Sequence, residues 1–131
     1  MSPLTQRAQL LAFAADAYGT APDFPWRDDP DSAVLRHADS GKWYALVMRV
    51  PPSRLGLADG PPLDVVNLKI DPLAIGSLID GVQYFPAYHM NKTHWLTVRL
   101  DGAVPWAQLT ALVAMSYALS GKGPVRRAKK R

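Results

Sequence analysis

Cysteine and glutamate are both absent from this chain of 131 residues. Without cysteine there is no disulfide, no zinc–thiolate centre and no cysteine nucleophile. All eleven acidic residues are therefore aspartates, which favour helix caps and turns over helix interiors. No apolar run approaches the roughly 20 residues that span a bilayer, and no basic segment precedes an apolar one near the start. We therefore expect a soluble cytoplasmic protein without a secretory signal or a membrane partner.

The positive charge is concentrated at one end of the chain. The formal net charge is +4, but six of the fifteen basic residues lie within 121–131. Residues 1–120 contain the other nine basic residues and all eleven acidic ones, which gives that part a net charge of −2. We predict one domain over 1–120 and a basic, disordered tail over 121–131. The tail residues expected to contact phosphates are Arg126, Arg127, Lys129, Lys130 and Arg131.

Apolar spacing and turn residues predict an α+β fold in which helices pack on one face of an antiparallel sheet. Helices are predicted over 3–18, 72–79 and 105–121, and strands over 33–37, 42–50, 65–70 and 95–100. The Pro- and Gly-rich stretch 51–63 and the segment 84–94 are predicted to be irregular. Alternation places Trp43 with Ala45 on one face of the second strand and Tyr44 on the other. The same rule puts Asn67 on an exposed face of the third strand.

Polar, aromatic and basic residues are densest between residues 86 and 95, directly before the last strand. The candidate site residues in this segment are Tyr88, His89, Asn91, Lys92 and His94. In one interpretation they bind an anion or a phosphate, because lysine supplies a charge while asparagine and histidine supply donors. In the other interpretation the asparagine and histidine side chains fix an irregular loop before a strand. The sequence leaves both interpretations open.

Catalysis and cofactor binding have little support in the sequence. No serine stands in a nucleophile-elbow context, and there is no Gly-rich phosphate loop. A metal at His89 and His94 is disfavoured, because a spacing of five on an extended chain is no established ligand pattern. We therefore expect a protein that is not an enzyme and that has no metal and no cofactor.

Five aromatic residues could either stack on bases or pack in the core. They are Trp26, Trp43, Tyr44, Tyr88 and Trp95. Stacking between basic residues such as Lys42, Lys69 and Lys92 would suit a single-stranded nucleic acid. Strand aromatics more commonly form cross-strand pairs or core contacts, so the pattern does not decide between the two.

Several segments together resemble the MmcQ/YjbR family of small bacterial proteins. They are residues 24–26 (Phe-Pro-Trp), 33–37 (Ala-Val-Leu-Arg-His), 41–46 (Gly-Lys-Trp-Tyr-Ala-Leu), 66–69 (Val-Asn-Leu-Lys) and 86–95 (Pro-Ala-Tyr-His-Met-Asn-Lys-Thr-His-Trp). The resemblance covers about residues 3–120. It implies a double-wing α+β fold and no agreed enzymatic activity, and proteins of this family are commonly labelled DNA-binding. The basic tail lies outside the pattern shared with the family, and the acidic body weakens the expectation that the shared domain binds DNA.

Two functions follow as hypotheses. The first is nucleic-acid binding through Lys92 and the neighbouring polar residues, with Lys42, Lys69 and the tail adding affinity. The second is a small-ligand-binding or protein-interaction module that uses the cluster at 86–95. A continuous positive ridge around Lys92 would favour DNA, and a concave apolar pocket would favour a small molecule.

Overall fold

Three helices lie on one face of a five-stranded antiparallel sheet in the computed structural model, which describes residues 5–121. The helices are α1 (Gln6–Tyr18), α2 (Pro72–Leu78) and α3 (Trp106–Gly121). The strands are β1 (Ala33–Arg36), β2 (Trp43–Val50), β3 (Leu63–Lys69), β4 (Tyr84–Pro86) and β5 (Trp95–Arg99). Their order is β1-β2-β3-β5-β4. The α+β class predicted from the sequence is confirmed, whereas the predictions for 1–4 and 122–131 lie outside the described residues.

The main core fills the space between the helices and the sheet. Leu10 of α1 and Val113 of α3 are fully buried there against Val47, Leu68 and Leu96 of the central strands. Burial of side chains of this size stabilises a fold by about 1.5–3 kcal/mol each. In residues 5–121 no helix combines the length and the apolar composition that crossing a membrane requires.

Helix ends follow local chemistry that the sequence displays. The Thr5 hydroxyl accepts a hydrogen bond from the Ala8 N–H at 3.1 Å and so caps α1. Gly19 ends this helix with φ = 65°, in the left-handed region that glycine adopts at little cost. The predicted helix end at residue 18 is confirmed, whereas the start predicted at residue 3 moves to Gln6, because Thr5 is the cap.

A β-bulge in β2 overturns the predicted strand faces. Leu35 pairs with Ala45 but Arg36 pairs with Trp43, which leaves Tyr44 as an extra residue opposite their partners. Tyr44 therefore joins the helix-side core next to Ala45, and Trp43 points to the opposite face of the sheet. The alternation predicted from residue 42 was wrong on this point, because a bulge shifts the period of two by one residue.

The two segments predicted to be irregular contain short regular elements. A 3-10 turn covers Pro52–Leu55, and β4 adds an edge strand beside β5. The turn before β4 is organised by Asp80, whose Oδ1 accepts the N–H groups of Val82, Gln83 and Tyr84 at 2.8–3.0 Å. These backbone hydrogen bonds, led by that of Tyr84, lower the pKa of the Asp80 carboxyl. Only three residues long, β4 is too short to give a period-two signal.

A buried serine joins α3 to the two central strands. The strands β2 and β3 stop pairing after Ala45 and Leu68. Beyond that point the Ser116 hydroxyl donates to the Tyr44 carbonyl at 2.5 Å and accepts the Lys69 N–H at 2.8 Å. The Ser116 side chain thus replaces the missing backbone hydrogen bond. It also fixes the position of α3 relative to the sheet.

We expect Ser116→Ala to destabilise the fold by about 1–3 kcal/mol, because it leaves the Tyr44 carbonyl and the Lys69 N–H without a partner. Urea unfolding measures the change. Ser77→Ala is the control, since the exposed Ser77 hydroxyl donates only to the Ala74 carbonyl within α2. Equal unfolding free energies for the two variants would show that the bridge contributes nothing to stability.

Candidate functional site

The face of the sheet opposite the helices is covered by loops. A second apolar cluster lies there, formed by Val34, Leu46, Met48, Val50 and Val65. Its cover comes from the connection 51–63 and from the segment 86–95, which contribute Leu55, Leu63, Tyr88 and Met90. Loops that cross a rigid sheet are common places for binding groups. The candidate residues at 86–95 therefore lie on the sheet face that no α-helix of residues 5–121 covers.

A buried pair of polar side chains fixes the segment 86–95 to the sheet. Asn67 of β3 and Thr97 of β5 face each other, and the Thr97 hydroxyl donates to the Asn67 side-chain oxygen. Asn67 also donates to the Tyr88 carbonyl at 2.8 Å, and Thr97 accepts the Tyr88 N–H at 2.9 Å. Asn67 is 0% exposed, so its predicted place on an exposed face was wrong. The segment 86–95 covers Asn67 and accepts a hydrogen bond from its side-chain amide.

The turn that follows is held by its own backbone. Asn91 accepts the Thr93 N–H with its side chain at 2.8 Å and the Trp95 N–H with its carbonyl at 3.0 Å. His89 adopts φ = 62°, a left-handed conformation that is uncommon for a residue with a side chain. Its ring lies 3.9 Å from that of Tyr88, measured between centroids. The loop-fixing interpretation therefore applies to Asn91, whereas His89 and Lys92 are exposed on the surface.

An open groove of about 550 Å³ lies between this turn and the loop after α1. We call it the aromatic groove. Its apolar lining consists of Trp26, Trp43, Leu46, Met48, Met90 and Trp95. The indoles of Trp26 and Trp43 stand 5.8 Å apart and are inclined at 78°. Three of the four tryptophans of the chain thus line one concavity.

A second concavity of about 390 Å³ lies on the other side of His89. We call it the basic cleft, because Arg54, His89 and Lys92 line it together with Tyr88 and Leu55. Arg54 comes from the 3-10 turn and was missed from the sequence. The signal was weak, since a lone arginine in a Pro- and Gly-rich loop has no fixed orientation. His89 lines both concavities and forms the ridge between them.

The other predicted site residues are dispersed. Lys42 and His94 line neither the aromatic groove nor the basic cleft. Lys69 stands opposite Trp95 in the register of β3 and β5 but also lines neither. The structure thus brings Tyr88, His89 and Lys92 together, and it does not form a continuous ridge with Lys42. The basic residues of the tail lie outside the described residues.

The predicted aromatic set divides between the two faces of the sheet. Tyr44 packs with Tyr18, Tyr117 and His37 beneath the helices, and burial raises the pKa of its hydroxyl. His37 Nε2 lies 3.0 Å from the Ser120 hydroxyl, and both residues are buried. This histidine–serine pair has no access to a substrate. Ser120 is buried on the inner face of α3, whereas its neighbour Leu119 is half-buried.

A third concavity, of about 730 Å³, is lined in part by residues that form ion pairs. Asp64 lies 3.5 Å from guanidinium nitrogens of both Arg7 and Arg49. Arg99 pairs with Asp101. Burial alone would raise the pKa of the Asp101 carboxyl, but the hydrogen bond and the positive charge of Arg99 oppose this effect, and the pKa is lowered from its usual value. Within residues 5–121 no group of three or more His, Asp, Glu or Cys side chains is arranged to hold a metal ion.

The fold and the loop-covered sheet face define a small α+β protein with a preformed surface concavity. Comparison with known proteins identifies the class more closely. A family model described as YjbR matches residues 15–119. The chain belongs to the YjbR family.

Similar proteins support this membership. The uncharacterized protein YyaQ of Bacillus subtilis is 37% identical over 114 residues, which cover 87% of this chain and 97% of that protein. A crystal structure from Pseudomonas syringae superposes with a TM-score of 0.84 at 42% identity, covering 87% of this chain and 97% of the other. A Deinococcus radiodurans protein with a DUF419 domain has a TM-score of 0.71 at 27% identity, covering 98% and 87% of the two chains.

We expect Thr97→Val to release the segment 86–95 from the sheet, because valine keeps the shape of threonine but neither accepts the Tyr88 N–H nor donates to Asn67. The expected cost is about 1–3 kcal/mol of unfolding free energy. Amide hydrogen exchange should become faster at Tyr88. Thr110→Val is the control, since that hydroxyl donates only to the Ala107 carbonyl on α3. Unchanged exchange at Tyr88 would contradict the assigned role of Thr97.

Proposed function

We propose that this protein is a non-enzymatic cytoplasmic binding protein, and that it holds a small organic ligand in the aromatic groove. The observation that carries the proposal is the convergence of Trp26, Trp43 and Trp95 on one concavity. Its volume of about 550 Å³ falls within the range of about 300–1,000 Å³ that is typical of ligand pockets. Asn91 and His89 add a few polar groups at the edge, which is the usual composition of such a site.

The exposure of Trp26 supports the same conclusion. Its side chain is 39% exposed although it sits beside Trp43 in an apolar concavity. A ligand that covered this indole would remove apolar surface from water at a gain of roughly 25 cal/mol per Å². Asn67 and Thr97 fix the segment 86–95, which supplies one side of the groove, so the ordering cost of that side is paid before binding. Both terms favour the binding of a small ligand.

Nucleic-acid binding is the second candidate, and the basic cleft favours it. Arg54, His89 and Lys92 could contact phosphate groups, and the basic residues at 126–131 would add non-specific affinity. Against it stand the net charge of −2 over residues 1–120 and the presence of Asp28 and Asp29 beside the tryptophans. A phosphate chain laid across the groove would meet these carboxylates. We therefore place this function second.

We expect Trp26→Ala to abolish most fragment binding, because it removes one wall of the aromatic groove. Saturation-transfer NMR with a panel of neutral, cationic and anionic aromatic fragments measures this loss. Trp106→Ala is the matched control: Trp106 is 37% exposed, similar to the 39% of Trp26, and packs on Phe13 outside the groove. Fragments that bind the Trp26→Ala variant as well as the natural protein would refute ligand binding at this site.

The second candidate gives a separate expectation. If the basic cleft contacts phosphates, Lys92→Ala weakens the binding of every sequence by the same factor and lowers the salt slope by about one. Fluorescence anisotropy with a duplex and a single strand over a salt series measures this. Lys42→Ala is the control, because Lys42 lies outside the cleft. Binding that disappears in a chain ending at Gly121 would assign nucleic-acid affinity to the tail and remove the cleft from consideration.

A further inference from the structure

We propose that the ligand of the aromatic groove is an organic cation, a small apolar molecule that carries a quaternary or tertiary ammonium group. This inference rests on the proposed function and names the chemical class of its ligand. It follows from two properties of the groove lining, which are its charge and the geometry of its indole rings.

The charged lining of the groove is acidic. Asp28 and Asp29 line it, and among residues 5–121 neither a lysine nor an arginine does so. Asp29 has a fixed place beside Trp26, because its N–H donates to the Trp26 carbonyl at 3.2 Å and its carboxylate accepts the Ser32 hydroxyl. The two carboxylates give the apolar groove a negative edge. Charge complementarity therefore favours a positive ligand and opposes an anion.

The indole rings present the faces that attract a cation. A cation within about 6 Å of a tryptophan ring is attracted by the negative face of the π system, and tryptophan attracts it best. Trp26 and Trp43 meet edge to face, inclined at 78° with centroids 5.8 Å apart, so each indole keeps at least one face that the other does not cover. An ammonium group that carries methyl substituents suits an indole face, because its charge is spread over an apolar surface.

The protein already uses this combination once, beside the groove. The guanidinium carbon of Arg36 lies 5.4 Å from the centroid of the Trp43 ring. The same guanidinium pairs with Asp23 at 2.9 Å. An aromatic face and a carboxylate thus hold a cation within this chain, and the groove lining offers a further indole, that of Trp26, together with the carboxylates of Asp28 and Asp29.

Two positive groups lie close to the groove and act against the proposal. The charge of Arg36 is compensated by Asp23, so its repulsion of a second cation is small. Lys69 stands opposite Trp95 and is half-buried, although it does not line the groove. Arg54 and Lys92 line the basic cleft beyond His89. The two concavities thus have opposite charge, which predicts that the groove discriminates between ligands by the sign of their charge.

Isothermal titration of the full chain with three molecules of nearly equal shape tests this. The probes are choline, neohexyl alcohol, in which carbon replaces the nitrogen, and the carboxylate of tert-butylacetic acid. We expect choline to bind about 3–30-fold more tightly than the neutral alcohol, and the carboxylate to bind most weakly. The Asp28→Asn, Asp29→Asn double variant should lose this preference. Asp31→Asn in the same loop is the control and should keep it, since Asp31 does not line the groove.

The outcomes separate this inference from the proposed function. If the neutral alcohol binds as tightly as choline and Trp26→Ala abolishes both, the groove binds ligands but the inference of a cation is wrong. A choline preference that survives in the double aspartate variant would overturn the role assigned to Asp28 and Asp29. If none of the three probes gives heat that depends on Trp26, neither the cation nor the ligand function of the groove stands.

Discussion

The hydrogen bonds between Asn67, Thr97 and the backbone of Tyr88 are the constraint on which the site depends. Asn67 and Thr97 lie on the neighbouring strands β3 and β5, where a buried polar group without a partner would cost about 1–3 kcal/mol. Each group in this network instead has a partner, and the loop backbone supplies two of them. The segment 86–95 therefore has one favourable place on the sheet. The binding groups within this segment, His89, Asn91 and Lys92, depend on this anchor for their position.

The two faces of the sheet are covered in different ways. Helices bury one face, and the hydrogen bonds of the Ser116 hydroxyl fix α3 in position on that face. The opposite face is covered by loops that leave concavities on both sides of His89, one aromatic with carboxylates and one basic. Two binding surfaces of different chemistry, the aromatic groove and the basic cleft, therefore lie next to each other. Within the segment 86–95, Tyr88 and Asn91 form the hydrogen bonds that fix the loop, whereas His89 and Lys92 are exposed on the surface.

Much of the fold could be predicted from the sequence, because helix stops and apolar spacing are local signals. Gly19 and the strands of the sheet are examples. The faces of Trp43 and Tyr44 could not be predicted, since a bulge is set by pairing with β1 and not by the strand itself. Asn67 was misplaced for a similar reason: an asparagine in a strand looks exposed until a distant loop uses its amide. The role of Arg54 depends on where its loop folds back.

The most direct test of this account is a pair of two-dimensional NMR spectra of the four indole N–H groups, recorded with and without choline on the full chain. The account predicts that the signals of Trp26, Trp43 and Trp95 move together as choline is added, while that of Trp106 on α3 stays in place. Equal shifts at all four indoles, or no shift at any of them, would contradict the binding of an organic cation in the aromatic groove.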